Sequence, residues 1–265
     1  MKIDILYEDE YILALDKPSG LLVHADGRSK EPTLVDWINE NYPDLKGVGE
    51  EQTLQSGEKV RRPGIVHRLD KETSGVIIVA KTKEAHQFFK EQFKSRNVEK
   101  IYNAVVWGNF NPSISLRAGE ISGVINKPIG KSAGDFRRWS AEHGAKGEIR
   151  EAVTEYKVLA QRSFSEVGLA QGEASENKLA YLEIRPKTGR THQIRVHLKS
   201  ISHPVVCDKL YAPNKICDEK ECLGFNRMAL HALSIKLELP NHTHIKIESP
   251  LPPEFERAQK LLKNG

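Results

Sequence analysis

Cysteine is scarce in this chain of 265 residues: there are three, all between Cys207 and Cys222. That is no disulfide framework, so a reducing, cytoplasmic setting is expected. Long apolar runs are missing as well. Val76–Ala80 is as long as any, far short of the roughly 20 residues that span a bilayer, so no membrane association is expected. The opening Met1-Lys2-Ile3-Asp4 has no apolar secretory core. Charge of one sign is also lacking: the net value is +4, too mild by itself to establish nucleic-acid binding. No repeat, low-complexity block or linker interrupts the chain, so residues 1–265 are expected to form a single domain. What remains is 38% hydrophobic and 29% charged, the balance of a globular chain long enough to bury its own core.

Several familiar motifs fail. Gly130-Lys131-Ser132 has the end of a phosphate loop, but the glycine required five residues earlier is Ile125. His192 and His197 are five apart on an expected helix, so they do not share a face as paired metal ligands would. Cys207, Cys217 and Cys222, with His203, His231 and Asp208, match no standard zinc spacing and read as ordinary thiols.

The placement of charge says more than its sum. From Lys59 to Lys100 there are eleven basic residues against five acids, and Arg185, Lys187, Arg190, Arg195 and Lys199 occur with no acid between them. Gathered on one face, these would attract a polyanion; dispersed, they would be an ordinary solvated surface.

Hydrophobic patterning predicts an α+β fold with a mixed, largely antiparallel central sheet flanked by helices and loops. Strands are expected at Ile12–Leu15, Leu21–Val23, Val76–Ala80, Ile101–Trp107, Ala152–Leu159, Lys178–Ile184, Leu230–Leu239 and His244–Glu248. Helices are expected at Thr33–Asn41, at Lys83–Ser95 behind a Thr82 cap, at Thr191–Ser200 and at Glu254–Lys263. The polar segments Asp44–Arg62, Asn111–Gly147 and Ser163–Asn177 read as loops.

Two segments concentrate reactive side chains. In Pro63-Gly64-Ile65-Val66-His67-Arg68-Leu69-Asp70-Lys71-Glu72-Thr73-Ser74-Gly75, an aspartate stands between two cations in a turn feeding the core strand. Basic neighbours favour the ionised carboxylate that a nucleophile or base must be, although surface turns carry such residues routinely. In Arg185-Pro186-Lys187-Thr188-Gly189-Arg190-Thr191-His192-Gln193-Ile194-Arg195-Val196-His197-Leu198, Ile194 and Leu198 orient a helix and place Arg195 at the core boundary. A cation there needs a carboxylate partner, and Asp70 is the expected one.

His67-Arg68-Leu69-Asp70-Lys71-Glu72-Thr73-Ser74-Gly75 resembles the signature of the RluA-type RNA pseudouridine synthases. Four further segments resemble that family in the same order: Asp16 to His24, Lys100 to Gly108, Lys127 to Lys131 with Ala152 to Tyr156, and Thr188 to Leu198 with His203 to Val206 and Asp208 to Tyr211. Ser202 and Cys207 stand where glycine is common in the family. The chain begins almost at the first motif, so no separate amino-terminal RNA-binding domain is expected.

The resemblance implies isomerisation of uridine to pseudouridine in ribosomal or transfer RNA, after the base has been flipped out of its stack. It implies no cofactor, metal or nucleotide. Its catalytic residues fall on Asp70, Tyr102 against the uracil, and Arg195 holding Asp70. Arg68 is the candidate for filling the vacated stack, with Lys71, Arg190 and His192 as further RNA contacts. His67 and His192 are expected to be hydrogen-bonded scaffold, and the protein a monomer. A catalytically inactive RNA-binding module of the same fold and a metal-dependent hydrolase are the alternatives.

Overall fold

The computed structural model describes residues 1–25, 31–53, 59–60, 62–111, 120–142, 145–165, 176–215 and 222–263. The chain runs through β1 (Asp4–Glu8), β2 (Ile12–Lys17), α1 (Leu34–Asn41), β3 (Gln52–Thr53), β4 (Lys59–Val60), β5 (Gly64–Ile65), β6 (Ser74–Ala80), α2 (Lys83–Lys94) and β7 (Glu99–Trp107). It continues through β8 (Ser122–Asn126), β9 (Ile129–Ser132), β10 (Trp139–Ser140), β11 (Ala145–Arg150), β12 (Val153–Ser165), β13 (Glu176–Pro186), α3 (Gln193–Ser200), β14 (Leu230–Glu238), β15 (His244–Glu248) and α4 (Pro253–Lys263). Parts of the three expected loops, and Cys217, lie outside the described residues. Among those residues no helix is long and apolar enough to cross a membrane. Backbone packing divides the chain into two compact units.

The first unit comprises Met1–Lys100 and Ala232–Pro250. Its sheet runs β1-β2-β6-β14, with β15 on β14 and β5 on β6. β2 and β6 pair antiparallel from Ile12↔Ala80 to Lys17↔Gly75. Every residue of β6 is buried, as are Ile12, Leu13, Ala14 and Leu15 of β2. Strands covered on both faces have no solvent side to alternate with, which is why these segments read as unbroken apolar runs. α2 packs on β6; the Thr82 hydroxyl caps it by accepting from the Ala85 N–H, a bond worth about 1 kcal/mol. Phe89 of its apolar face is buried, while Phe88 and Phe93 are half-buried.

One strand here is unforeseen and one expectation fails. β1 is mostly exposed and lacks the apolar alternation that would announce it. Leu21–Val23 is not a strand: the carbonyls of Leu22 and Val23 instead accept the N–H groups of Leu34 and Val35 at the start of α1.

The second unit comprises Ile101–His231 and Leu251–Gly265. Its sheet, β7-β13-β12-β8, is antiparallel throughout. Ala104, Val106, Tyr181, Leu182, Phe225 and Phe255 belong to its main core, which α4 completes. A smaller cluster of Ile129, Ala152, Val196 and Tyr211 roots a separate three-stranded sheet, β10-β9-β11. That sheet replaces an expected loop, because its strands are short and largely solvent-facing. Cys207 is a buried free thiol, in line with the reading of ordinary thiols, whereas Cys222 is disulfide-bonded, against it.

Ser202 and Cys207 adopt φ 65° and 57°. Each holds a left-handed backbone that glycine takes without steric cost. Gly75 meets the same demand in the first unit: its φ is +111°, and a Cβ there would lie 2.2 Å from the Ala232 carbonyl oxygen. Gly75→Ala should therefore lower unfolding stability by at least about 1–3 kcal/mol from the backbone alone, measured as the urea midpoint.

Candidate active site

In the first unit, Leu69 is buried and pins the turn that carries Asp70. The Thr73 N–H closes the turn onto the Asp70 carbonyl at 3.1 Å. The Lys71 carbonyl then accepts twice, from the Gly20 N–H at 2.9 Å and from the Lys17 ammonium at 3.1 Å. Lys17 is fully buried and also donates to the carbonyls of Pro18 and Leu21, each at 2.9 Å. Ser19 Oγ donates to the Glu72 carbonyl at 2.7 Å. The Lys17-Pro18-Ser19-Gly20 turn is thus a clamp on the backbone after Asp70, a role that nothing in its sequence announces.

His67 is scaffold, as expected. Its Nε2 accepts the Ile78 N–H at 3.0 Å, and its ring stacks on Phe93 at 5.0 Å. Burial, with Lys100 adding to it, holds its pKa down to about 3. Lys100 is itself pushed down to about 8 by burial.

Part of the positive charge of this unit is paired. Lys71 pairs with Glu31, Lys81 with Glu8, Lys90 with Glu50 and Lys94 with Glu91. Arg68 is exposed. Near it, His24 has its pKa held at about 4, by burial first and then by the positive charges of Arg62 and Arg68. Arg62 and Arg68 thus both lie close enough to His24 to act on its charge, and Arg68 stands two residues before Asp70.

The second unit carries Tyr102, Arg190, His192 and Arg195. Tyr102 is half-buried on β7 opposite Ile184 of β13. Several polar residues of the α3 segment have structural bonds. Gln193 Oε1 accepts from Thr188 Oγ1 at 2.7 Å and from the Arg190 N–H at 3.0 Å. Its Nε2 donates to the Val153 carbonyl at 3.0 Å and Thr154 Oγ1 at 2.9 Å. His197 bridges Thr154 Oγ1 at 2.8 Å and the Lys127 carbonyl at 2.9 Å, with its pKa lowered chiefly by burial. Arg190 Nε donates to the Glu151 carbonyl at 2.9 Å. These bonds lash the start of α3 to β12 and leave His192 with φ 55°.

Arg195 is buried, and its carboxylate partner in this unit is Asp208, which sequence reasoning does not assign. Nε donates to Oδ2 at 2.7 Å and Nη2 to Oδ1 at 2.8 Å, a two-pronged pair. Asp208 Oδ1 also accepts the N–H groups of Leu210 and Tyr211, each at 3.0 Å. The guanidinium carbon lies 4.9 Å from the Tyr211 ring centre. The Tyr211 hydroxyl accepts the Trp139 N–H at 2.9 Å and shares a hydrogen bond of 2.9 Å with His192 Nδ1. His192 is thereby part of the scaffold, as expected. The basic face is corrected: Arg185 pairs with Glu183, Lys187 with Glu155, and Arg195 is inside.

The family described as RNA pseudouridylate synthase matches residues 11–200. The chain belongs to that family. An uncharacterized RNA pseudouridine synthase of Synechocystis is 35% identical over 98% of this chain and 69% of its own length. A ribosomal large subunit pseudouridine synthase D of Pseudomonas aeruginosa is 34% identical over 99% of this chain and 72% of its own. The human RNA pseudouridylate synthase domain containing 1 structure superposes with a TM-score of 0.67 at 23% identity, covering 95% of this chain and 84% of that one, a likeness of fold. The family's activity is the isomerisation of uridine in RNA to pseudouridine.

Asp208→Ala removes the two-pronged ion pair from the buried Arg195, and unfolding stability measured in urea should fall by roughly 3 kcal/mol. Acid should also weaken the first unit. His24 and His67 take up protons on unfolding below their ordinary pKa near 6.5 but resist them when folded. Their stabilisation is complete above pH 6.5 and is lost as pH falls toward 4. The urea midpoint should drop between pH 7 and pH 5, and His24→Gln should flatten part of that drop.

Proposed function

We propose that Asp70 is the catalytic carboxylate for pseudouridine formation, with Tyr102 and Arg195 as the other catalytic residues. The observation that carries this reading is the clamp on the Asp70 turn: Lys17, Ser19 and Gly20 all bond the carbonyls that follow it. A turn held so firmly by its backbone leaves the aspartate side chain as what is being presented.

Tyr102 lies against the extruded uracil and takes the proton from C5. Arg68 fills the vacated stack, an arginine plane being able to stack on bases. Lys71, Arg190 and His192 contact the RNA. The reaction needs no cofactor or metal, since base and sugar are only rejoined through a different atom. The two units work as one catalytic domain, monomeric and cytoplasmic. Large-subunit ribosomal RNA is the first substrate to test, because that is the target named for the Pseudomonas aeruginosa relative.

Asp70→Asn should abolish pseudouridine formation in ribosomal RNA transcripts while leaving the thermal transition in place. Residual turnover above about one per cent of wild type would remove Asp70 from the chemistry. Tyr102→Phe should lower kcat by two or more orders of magnitude with little change in KM.

A further inference from the structure

The turn that carries Asp70 also contains a buried polar atom with no task in the fold. Thr73 is 2% exposed, and its Oγ1 is shut off from solvent and makes no hydrogen bond among the described residues. A hydroxyl taken out of water without a partner is destabilising. Native folds seldom keep one, and those they keep tend to have a reason outside stability. Two equally buried hydroxyls of the first unit are each satisfied by a carboxylate. Thr33 Oγ1 donates to Asp36 Oδ2 at 2.8 Å, and Ser249 Oγ donates to Asp16 Oδ1 at 2.8 Å.

Packing gives no reason for a hydroxyl at Thr73. Valine has the same shape without the polar atom, and it suits the entry to β6, which leads into the apolar run Val76–Ala80. The backbone around Thr73 is meanwhile well engaged. Its own N–H donates to the Asp70 carbonyl, and the carbonyls of Lys71 and Glu72 are held by Lys17, Gly20 and Ser19.

That backbone bond decides which acid the hydroxyl can reach. An N–H bonded to the carbonyl three residues earlier folds four residues into a turn, with its first and last Cα atoms within about 7 Å. The Asp70 carboxylate and the Thr73 hydroxyl stand at those two ends. Rotation about χ1 moves the hydroxyl among three staggered positions on a fixed Cβ. The adjacent acid, Glu72, is exposed and does not share the buried side of the turn.

We propose that Thr73 is a positioning residue for Asp70, its hydroxyl donating to the Asp70 carboxylate only in the geometry in which that carboxylate reacts. It holds one carboxylate oxygen and aims the other at the nucleoside. The proposal rests on Asp70 being the catalytic carboxylate, as proposed above. A bond missing at rest and made in the reacting geometry lowers the barrier without tightening the binding of substrate, so it acts on kcat. The orphaned hydroxyl of the resting turn is the other half of that difference.

The test uses the full chain and a large-subunit ribosomal RNA transcript that the wild type modifies. It reads kcat, KM and the thermal midpoint. Thr73→Val should lower kcat by about tenfold or more, with KM within about twofold of wild type. Its thermal midpoint should hold or rise, since an unsatisfied buried group has been removed. Thr73→Ser keeps the hydroxyl and should hold kcat within about threefold of wild type. An unchanged kcat in Thr73→Val would overturn the proposal. So would a lower midpoint in that variant, because the hydroxyl would then be bonded in the resting protein, and so would a Thr73→Ser as slow as Thr73→Val. Asp70→Asn is assayed beside them. Turnover by Asp70→Asn would overturn the Asp70 reading and this one with it, whereas an inactive Asp70→Asn beside a fully active Thr73→Val would overturn this one alone.

Discussion

A buried arginine must be held charged without the water that would otherwise solvate it, and much of the second unit is organised around meeting that demand at Arg195. Taking a guanidinium out of water costs several kcal/mol unless its donors are met in good geometry. Asp208 meets two of them and is itself held by the N–H groups of Leu210 and Tyr211. Tyr211 adds a ring beneath the cation and, through its hydroxyl, ties His192 and Trp139 to the same point. Gln193 and His197 then fasten the helix to β12, so the arginine cannot drift with its own element. The family motif around α3 is thus a set of mutually dependent hydrogen bonds, in which few members need touch a substrate.

The Asp70 turn shows a complementary solution. Here the side chain is left half-buried and the backbone does the holding. Lys17 commits its ammonium to three carbonyls, which is a reason for a fully buried lysine that charge counting would not supply. His67 supports the strand behind the turn by accepting an amide proton, a task open only to a neutral imidazole; the burial that lowers its pKa therefore maintains the bond.

Elements with an uninterrupted apolar pattern were legible from the chain alone. β6, β7, β14, β15 and the helices α1, α2 and α4 fall within two residues of their expected bounds, since burial on a fixed period is a local property. β1 and the strands β9, β10 and β11 were not, because they are short and several are largely exposed, so no sustained apolar period marks them. Ser202 and Cys207 depart from a glycine pattern, and their positive φ values explain the pattern while showing that the departures are tolerated. The basic run from Arg185 to Lys199 misled, because its acids, Glu183 and Glu155, lie before it in the chain and beside it in space.

Membership of the family and the identity of the candidate residues followed from ordered motifs, since those depend only on which residue types succeed one another. Asp208 as the support of Arg195 and Lys17 as the clamp on the Asp70 turn were decided by tertiary structure. Each joins residues whose separation along the chain carries no period, and a hydrogen bond depends on distance in space, which only the folded backbone sets.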